Sequence, residues 1–163
     1  MLTEVSTGPH DVRNQWGEPL AGGNTMSINP RTVEALTRAP LFADLTDNEV
    51  RQIASLFKAR RFKDGETVIK EGLGGAAFYV IDSGEAAVTI GGERRATLAA
   101  GDYFGEIALF DEGTRMATIT ASGDLTCYGL TYWDFRPLVE KNGVIGWKLL
   151  QRMAAMLREE RGP

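Results

Sequence analysis

The chain has 163 residues, a length that fits one domain with a substantial hydrophobic core. Its hydrophobic fraction is 43%, its charged fraction is 25%, and no apolar run reaches the ~20 residues of a membrane span, so the composition predicts a soluble globular protein. The formal net charge of −4 argues against a nucleic-acid-binding surface, which usually shows as a concentrated basic face.

The first 28 residues are rich in Gly, Asn, Pro, Ser and Thr, a composition that predicts a segment without order of its own. Its opening, MLTEVSTGPH, lacks the basic start and apolar stretch of a secretory signal. Cys127 is the single cysteine, so no internal disulfide forms, and a cytoplasmic location is expected.

N-terminal helices are predicted over residues 31–58. A short helix runs from Arg31 to the residue before Pro40, and a second follows a capping box made by Thr46 and Glu49. The basic cluster KARRFK at 58–63 is predicted to lie, solvated, at the exit of this second helix.

Short runs of Val, Ile, Phe, Tyr and Thr fill residues 62–131, and turn pairs recur among them about every ten residues. This texture predicts an all-β barrel or jelly roll. Gly91-Gly92, between AVTI and RRATL, is the best hairpin candidate. The turn pairs are Asp64-Gly65, Glu71-Gly72, Ser83-Gly84, Gly91-Gly92, Gly101-Asp102 and Ser122-Gly123.

C-terminal helices are predicted over residues 132–160, the first capped by Thr131. The last helix, GVIGWKLLQRMAAMLREER, is apolar on more than one side, although a surface helix needs only one apolar stripe. The surplus would cover the barrel, a ligand, or the same helix of a second subunit. One stripe is Ile145, Leu149, Met153 and Met156; the other is Trp147, Leu150, Ala154 and Leu157.

The sequence lacks the residues that several common metal, catalytic and nucleotide-binding sites require. The only histidine, His10, lies in the N-terminal segment, so no histidine-rich metal site and no histidine-dependent triad is expected. The chain has no Gly-Lys pair and therefore no P-loop. The stretch GLGGAA at 72–77 matches a relaxed Rossmann fingerprint, but a strand-like run follows it instead of a helix, and we interpret it as a turn.

The stretch GDYFGEIALFDEGTRMATITA, residues 101–121, places Glu106 and Arg115 nine positions apart with small residues beside both. The two side chains either pair in a buried salt bridge or hold different ends of one small ligand. In the second case, Gly105 lets the backbone turn tightly, and residues 106–109 form one helical turn whose free N–H groups suit an anion. Arg115 would give a phosphate a charge-assisted hydrogen bond, and Glu106 would need a donor such as a sugar hydroxyl.

The segment FGEIALF…TRMAT resembles the phosphate-binding cassette of cyclic nucleotide-binding domains, in which F-G-E-[IL]-A-L precedes P-R-x-A-T. The likeness covers about residues 31–158, through PLFADLTDNEV, FKDGETVIKEG and FYVIDSGEAAV. The domains that this segment resembles are those of the catabolite activator proteins and of the protein kinase A regulatory subunits. It implies a mainly β fold with flanking α-helices: a β jelly-roll barrel with N-terminal helices and C-terminal hinge and lid helices, over residues 29–163.

The resemblance also implies a ligand site without metal or catalytic residues. Its predicted ligand-binding residues are Gly105, Glu106, Ile107, Ala108, Arg115 and Met116. Glu106 would hold the ribose 2′-hydroxyl and Arg115 the cyclic phosphate, Gly105 would shape the turn, and the remaining three amides would donate to phosphate oxygens. The base would lie under the terminal helix, where the predicted contacts are Met153, Met156, Leu157 and Arg158.

Two positions depart from the family pattern: Thr114 replaces the usual proline, and Met116 replaces a small or hydroxyl residue. A threonine at the second position is the family's usual way of favouring guanine, so the resemblance favours cAMP over cGMP. Met116 could also crowd the pocket and weaken either ligand.

The likeness to catabolite activator proteins ends at the C-terminus, where only RGP follows Glu160, so no DNA-binding helix-turn-helix is expected. The sequence thus predicts a stand-alone, non-enzymatic, cAMP-preferring sensor whose terminal helix signals to an effector protein or pairs with a second copy. The alternative is a nucleotide-independent interaction or assembly protein with a vestigial pocket.

Overall fold

The computed structural model describes residues 18–19, 28–75, 77–111 and 113–162. Of the N-terminal segment expected to lack order, the structure describes Glu18–Pro19, a short strand (β1), and Ile28. The rest of that segment lies outside the described residues.

Three helical segments open the main body: α1 (Pro30–Arg38), a 3₁₀ turn (Pro40–Phe42) and α2 (Asp47–Ala54). Both α-helices begin at side-chain caps. The Asn29 side chain accepts two first-turn N–H groups of α1, and Thr46 and Glu49 form the capping box that the sequence predicts. Two helices are thus present in the N-terminal region, and the second ends at Ala54, short of the predicted residue 58.

The remaining strands are β2 (Lys58–Phe62), β3 (Thr67–Ile69), β4 (Ala77–Ile90), β5 (Glu93–Leu98), β6 (Tyr103–Phe104) and β7 (Thr118–Thr131). All recorded pairings are antiparallel, in the order β1-β2-β7-β4-β5, with β3 also on β7 and β6 also on β4. The fold class, mainly β with flanking helices, is confirmed, and the jelly-roll description is consistent with it. Among the described strands the sheet stays open and does not close into a barrel.

Local signals located the β4–β5 hairpin correctly but misplaced other strand boundaries. Gly91 and Gly92 have φ of 59° and 81°, the pair of left-handed residues that a two-residue hairpin turn needs. The first five residues of the basic cluster, which was expected at a helix exit, form β2 and pair with β7. Ser83-Gly84, expected as a turn, lies inside β4 at a register shift, where a Cβ on Gly84 would come 2.3 Å from the Asp124 carbonyl oxygen.

Two buried clusters lie on opposite sides of strand β4. Phe78 and Val80 pack toward the helices, whereas Tyr79 and Ile81 pack into the second cluster with Phe62 and neighbouring strand residues. This alternation is the two-residue period of a strand that is covered on both faces. Strand β4 therefore belongs to both clusters, with one face against the helices and the other against neighbouring strands.

Two helices close the described chain: α3 (Tyr132–Lys141), capped by Thr131 as predicted, and α4 (Gly143–Arg161). Of the two predicted apolar stripes on α4, the one containing Ile145 and Leu149 packs against the N-terminal helices. The other stays exposed, with Trp147 and Leu150 at 63% and 60% exposure. In the part of the chain that the structure describes, no helix combines the length and apolarity that crossing a membrane requires.

Polar contacts fix α4 against the N-terminal helices. The Lys148 ammonium lies 2.6 Å from a carboxylate oxygen of Glu49, which is 8% exposed. Arg152 Nε donates to the Pro40 carbonyl oxygen at 2.8 Å. The bond from Lys148, followed by the Thr46 N–H, holds the pKa of the Glu49 carboxyl below its ordinary value of 4.5.

We expect Lys148→Met to lower the free energy of unfolding by about 1.5 to 3 kcal/mol near neutral pH, because it removes a charged hydrogen bond from a buried carboxylate. A carboxyl whose folded pKa is lowered stabilises above its unfolded pKa, and this contribution is lost as pH falls through the folded value. Urea unfolding should therefore separate the variant from wild type at neutral pH and not well below pH 4.5. Lys141→Met, at an exposed lysine, is the control; an equal loss there would contradict this account.

Candidate functional site

A tight turn follows strand β6. Gly105 has φ 86°, in the left-handed region, and the next four residues form the 3₁₀ turn Glu106–Leu109. A Cβ on Gly105 would lie 2.7 Å from the Ala77 carbonyl oxygen, so both the conformation and the space require glycine. The predicted single helical turn is thus present, directly beside the first residue of strand β4.

The amides predicted to hold phosphate differ in their present partners. Ala108 N–H donates to the Gly105 carbonyl oxygen at 3.0 Å, inside the turn. The N–H groups of Ile107 and Met116 have no backbone acceptor among the described residues. Both residues are exposed, at 52% and 83%, and amides without a backbone acceptor in exposed residues suit an anion.

Arg115 is fixed through its main chain and only partly through its side chain. Its N–H donates to the Leu73 carbonyl oxygen, and its carbonyl oxygen accepts from the Gly72 N–H, both at 2.9 Å. The Nη2 group donates to the Ala77 carbonyl oxygen at 2.6 Å. Nε is buried and has no hydrogen-bond partner among the described residues, so this guanidinium still has donor capacity to fill.

Glu106 and Arg115 do not form an ion pair in the structure. Burial lowers the pKa of the Arg115 guanidinium, while the charges of Tyr79 and Glu106 oppose that shift. The Glu106 carboxylate also adds to the raised pKa of Tyr103, which burial chiefly causes. Of the two arrangements left open by the sequence, the mutual salt bridge is therefore absent, and the two charged groups stand apart at one site.

The geometry fits a small anion with a hydroxyl group beside it. A half-buried guanidinium whose buried Nε–H has no partner, with two amides that have no backbone acceptor, favours a phosphate, because an uncompensated buried donor is costly. Within the described residues, no three His, Cys, Asp or Glu side chains are grouped closely enough to hold a metal ion.

The structure does not bring the predicted base contacts to this turn. Helix α4 makes its main contacts with α3 and the Pro40–Phe42 turn, and Met153 and Met156 pack against the helical cluster. Leu157 and Arg158 lie exposed near the end of α4. The assignment of these four residues to the base stays a prediction.

Sequence reasoning missed the loop between β3 and β4, which it interpreted as a simple turn. The described part of this loop, residues 70–75, supplies both main-chain partners of Arg115 through Gly72 and Leu73, and Gly74 forms a bridge with Thr114. The signal was the glycine cluster GLGG itself, because consecutive glycines mark close backbone approach as well as turns.

Comparison with known proteins agrees with this geometry. Residues 59–142, about half of the chain, match the family described as cyclic nucleotide-binding domain. Over 92 residues the chain is 44% identical to a cAMP-dependent protein kinase regulatory subunit of Yarrowia lipolytica, covering 55% of this chain and 24% of that protein. The chain spans 20 to 30% of the length of the first curated relatives it matches.

Two solved structures share the fold at 27% identity. The N-terminal domain of a transcriptional regulator from Streptomyces coelicolor A3(2) matches with a TM-score of 0.69, covering 78% of this chain and 92% of that one. A cAMP-bound PfPKA-R structure matches with a TM-score of 0.55, covering 75% of this chain and 44% of that one. The chain belongs to the cyclic nucleotide-binding domain family, as the FGEIALF…TRMAT resemblance predicts.

Proposed function

We propose that this chain is a non-catalytic cyclic nucleotide sensor of the cytoplasm that prefers cAMP and signals through its terminal helix. The observation that carries the proposal is the half-buried Arg115 guanidinium, whose buried Nε–H has no partner and which does not pair with Glu106. A cyclic phosphate would satisfy that donor and neutralise the charge. The relative in Yarrowia lipolytica and the cAMP-bound neighbour support the same ligand class.

The roles of the two charged residues follow from their chemistry. Arg115 takes the phosphate, together with the outward amides of Ile107 and Met116, and Gly105 shapes the turn that presents them. The Ala108 N–H donates to the phosphate as well as to the Gly105 carbonyl oxygen, its present acceptor. Glu106 accepts from the ribose 2′-hydroxyl, because a carboxylate facing the phosphate would repel it.

The preference for cAMP rests on Met116. A thioether is at most a weak acceptor and offers no hydroxyl to a guanine amino group, so the position gives cGMP no added hydrogen bond. Because the Met116 side chain is 83% exposed, it can lie at the mouth of the site without filling it. cGMP is the less favoured ligand in this proposal.

Helix α4 is the output element in this proposal. For Met153, Met156, Leu157 and Arg158 to cap the base, α4 must leave part of its present packing on the Pro40–Phe42 turn. A ligand that binds more tightly when α4 caps the base than when α4 keeps its present position shifts the population toward the capped position. The exposed stripe with Trp147 and Leu150 is then the surface for an effector protein or for a second copy of the chain.

The same exposed stripe supports the alternative function, a docking or assembly protein that acts without nucleotide. Three exposed apolar side chains, Trp147, Leu150 and Leu157, recur at 3- and 7-residue intervals on one helix face. That spacing suits a partner helix whether or not a ligand binds. The two functions differ in whether cAMP changes the molecule.

Calorimetric titration with cAMP, cGMP and 2′-deoxy-cAMP tests the proposal directly. We expect cAMP to bind more tightly than cGMP, and 2′-deoxy-cAMP to bind about tenfold or more weakly because Glu106 loses its donor. Light scattering with and without cAMP then shows whether α4 changes the oligomeric state. Folded protein that binds none of the three at millimolar concentration would contradict the sensor and favour the docking protein.

A further inference from the structure

The β3–β4 loop approaches Arg115 from one side along several bonds. Gly72 and Leu73 exchange main-chain hydrogen bonds with Arg115 at 2.9 Å, and Gly74 bridges to Thr114. These contacts resemble a short antiparallel ladder and fix where the Arg115 backbone lies. Gly75 follows immediately, is buried, and lies against the Arg115 side chain.

The space at Gly75 is filled by the guanidinium. A Cβ built on Gly75 would lie 2.1 Å from Arg115 Nε and 2.8 Å from both Cζ and Nη2, all closer than real contacts allow. The φ of Gly75 is outside the left-handed region, so its backbone would accept an alanine. The three atoms nearest to such a Cβ all belong to Arg115, so the Arg115 side chain is what excludes a larger residue at this position.

A second glycine lies on another side of the same group. A Cβ on Gly105 would lie 2.7 Å from Arg115 Nη1, and the Ala77 carbonyl oxygen accepts from Nη2. The guanidinium is thus held between two glycine backbones and one carbonyl oxygen, and its orientation is set before any ligand arrives. Preorganised donors bind an anion more tightly because less ordering is needed at binding.

We propose that Gly75 is a positioning residue of the anion site: its missing side chain lets Arg115 lie in the orientation that holds a cyclic phosphate. This inference rests on the proposed function and extends the site to the loop that the sequence presented as a simple turn. Gly75 itself need not touch the ligand. Its effect on binding passes through the guanidinium.

Gly75→Ala tests the inference when cAMP affinity and the Arg115 Nε–H signal in proton–nitrogen spectra are measured on the same protein. We expect affinity to fall about ten- to a hundredfold, the range for losing one charged hydrogen bond. In the background of Arg115→Ala, Gly75→Ala should cause no further loss. Gly113→Ala is the control in the same region, since the three atoms nearest to its Cβ would belong to the Asp111 side chain, the closest at 3.2 Å.

The Nε–H signal separates this inference from the proposed function. In wild type the buried Nε–H should exchange slowly, and in Gly75→Ala it should broaden or vanish as the displaced guanidinium enters solvent; Arg115→Lys assigns the signal. Unchanged cAMP affinity with an unchanged signal would overturn the role of Gly75 while leaving the sensor intact. If wild type binds no cyclic nucleotide, the sensor fails, and the signal alone decides whether Gly75 positions Arg115.

Discussion

Arg115→Ala is expected to weaken cAMP binding about ten- to a hundredfold, the cost of a charged hydrogen bond or more. The reason is that the Arg115 guanidinium, with its Nε–H unpartnered, lies against Gly105 at the start of the Glu106–Leu109 turn. Calorimetric titration measures the change. Arg115→Lys should recover only part of the affinity, because an ammonium keeps the charge but loses the planar fork that binds two phosphate oxygens.

The same variant should leave the ligand-free protein nearly as stable as wild type. In the absence of ligand the guanidinium makes one side-chain hydrogen bond, to the Ala77 carbonyl oxygen, and its burial is otherwise uncompensated. We expect the free energy of unfolding to change by no more than about 1 kcal/mol. A large loss of stability with unchanged affinity would show that Arg115 is a structural residue and would contradict the site.

Local sequence signals were sufficient for those parts of the site whose chemistry is local. The left-handed Gly105 and the Glu106–Leu109 turn follow from five consecutive residues, and the hairpin at Gly91 follows from two. Helix starts at Thr46 and Thr131 are likewise set by one side chain that accepts from the next turn. In these cases the residues that decide the structure are adjacent in the sequence.

The features that sequence reasoning missed depend on contacts between distant segments. Gly84 appeared to be a turn residue, but it allows β4 to pass close to the Asp124 carbonyl oxygen of β7. The basic cluster became β2 because β7 was available to pair with it, so tertiary pairing decided its structure. Gly75 gains its role only once Arg115 has come to lie on it, forty residues later in the chain.

Phe78→Ala is expected to cost about 3 to 5 kcal/mol of the free energy of unfolding, the largest stability effect we predict. Phe78 is fully buried, and its ring lies 5.5 Å from that of Phe57, 5.9 Å from Tyr103 and 6.1 Å from Phe42. Phe42 belongs to the Pro40–Phe42 turn, Phe57 follows helix α2, and Tyr103 belongs to strand β6. The substitution therefore leaves a cavity where the helices meet the sheet.

Chemical unfolding monitored by circular dichroism measures this cost, and Phe78→Leu should lose less because it keeps more of the buried volume. Ile90→Ala, at the 39% exposed end of the same strand, should cost much less and serves as the control. Ligand binding is an independent check on this variant. The carbonyl oxygen of Ala77, the residue before Phe78, accepts the hydrogen bond from Arg115. If Phe78→Ala were as stable as wild type, the helices would not depend on β4 for their packing, and a movement of α4 could not be transmitted to the site through that strand.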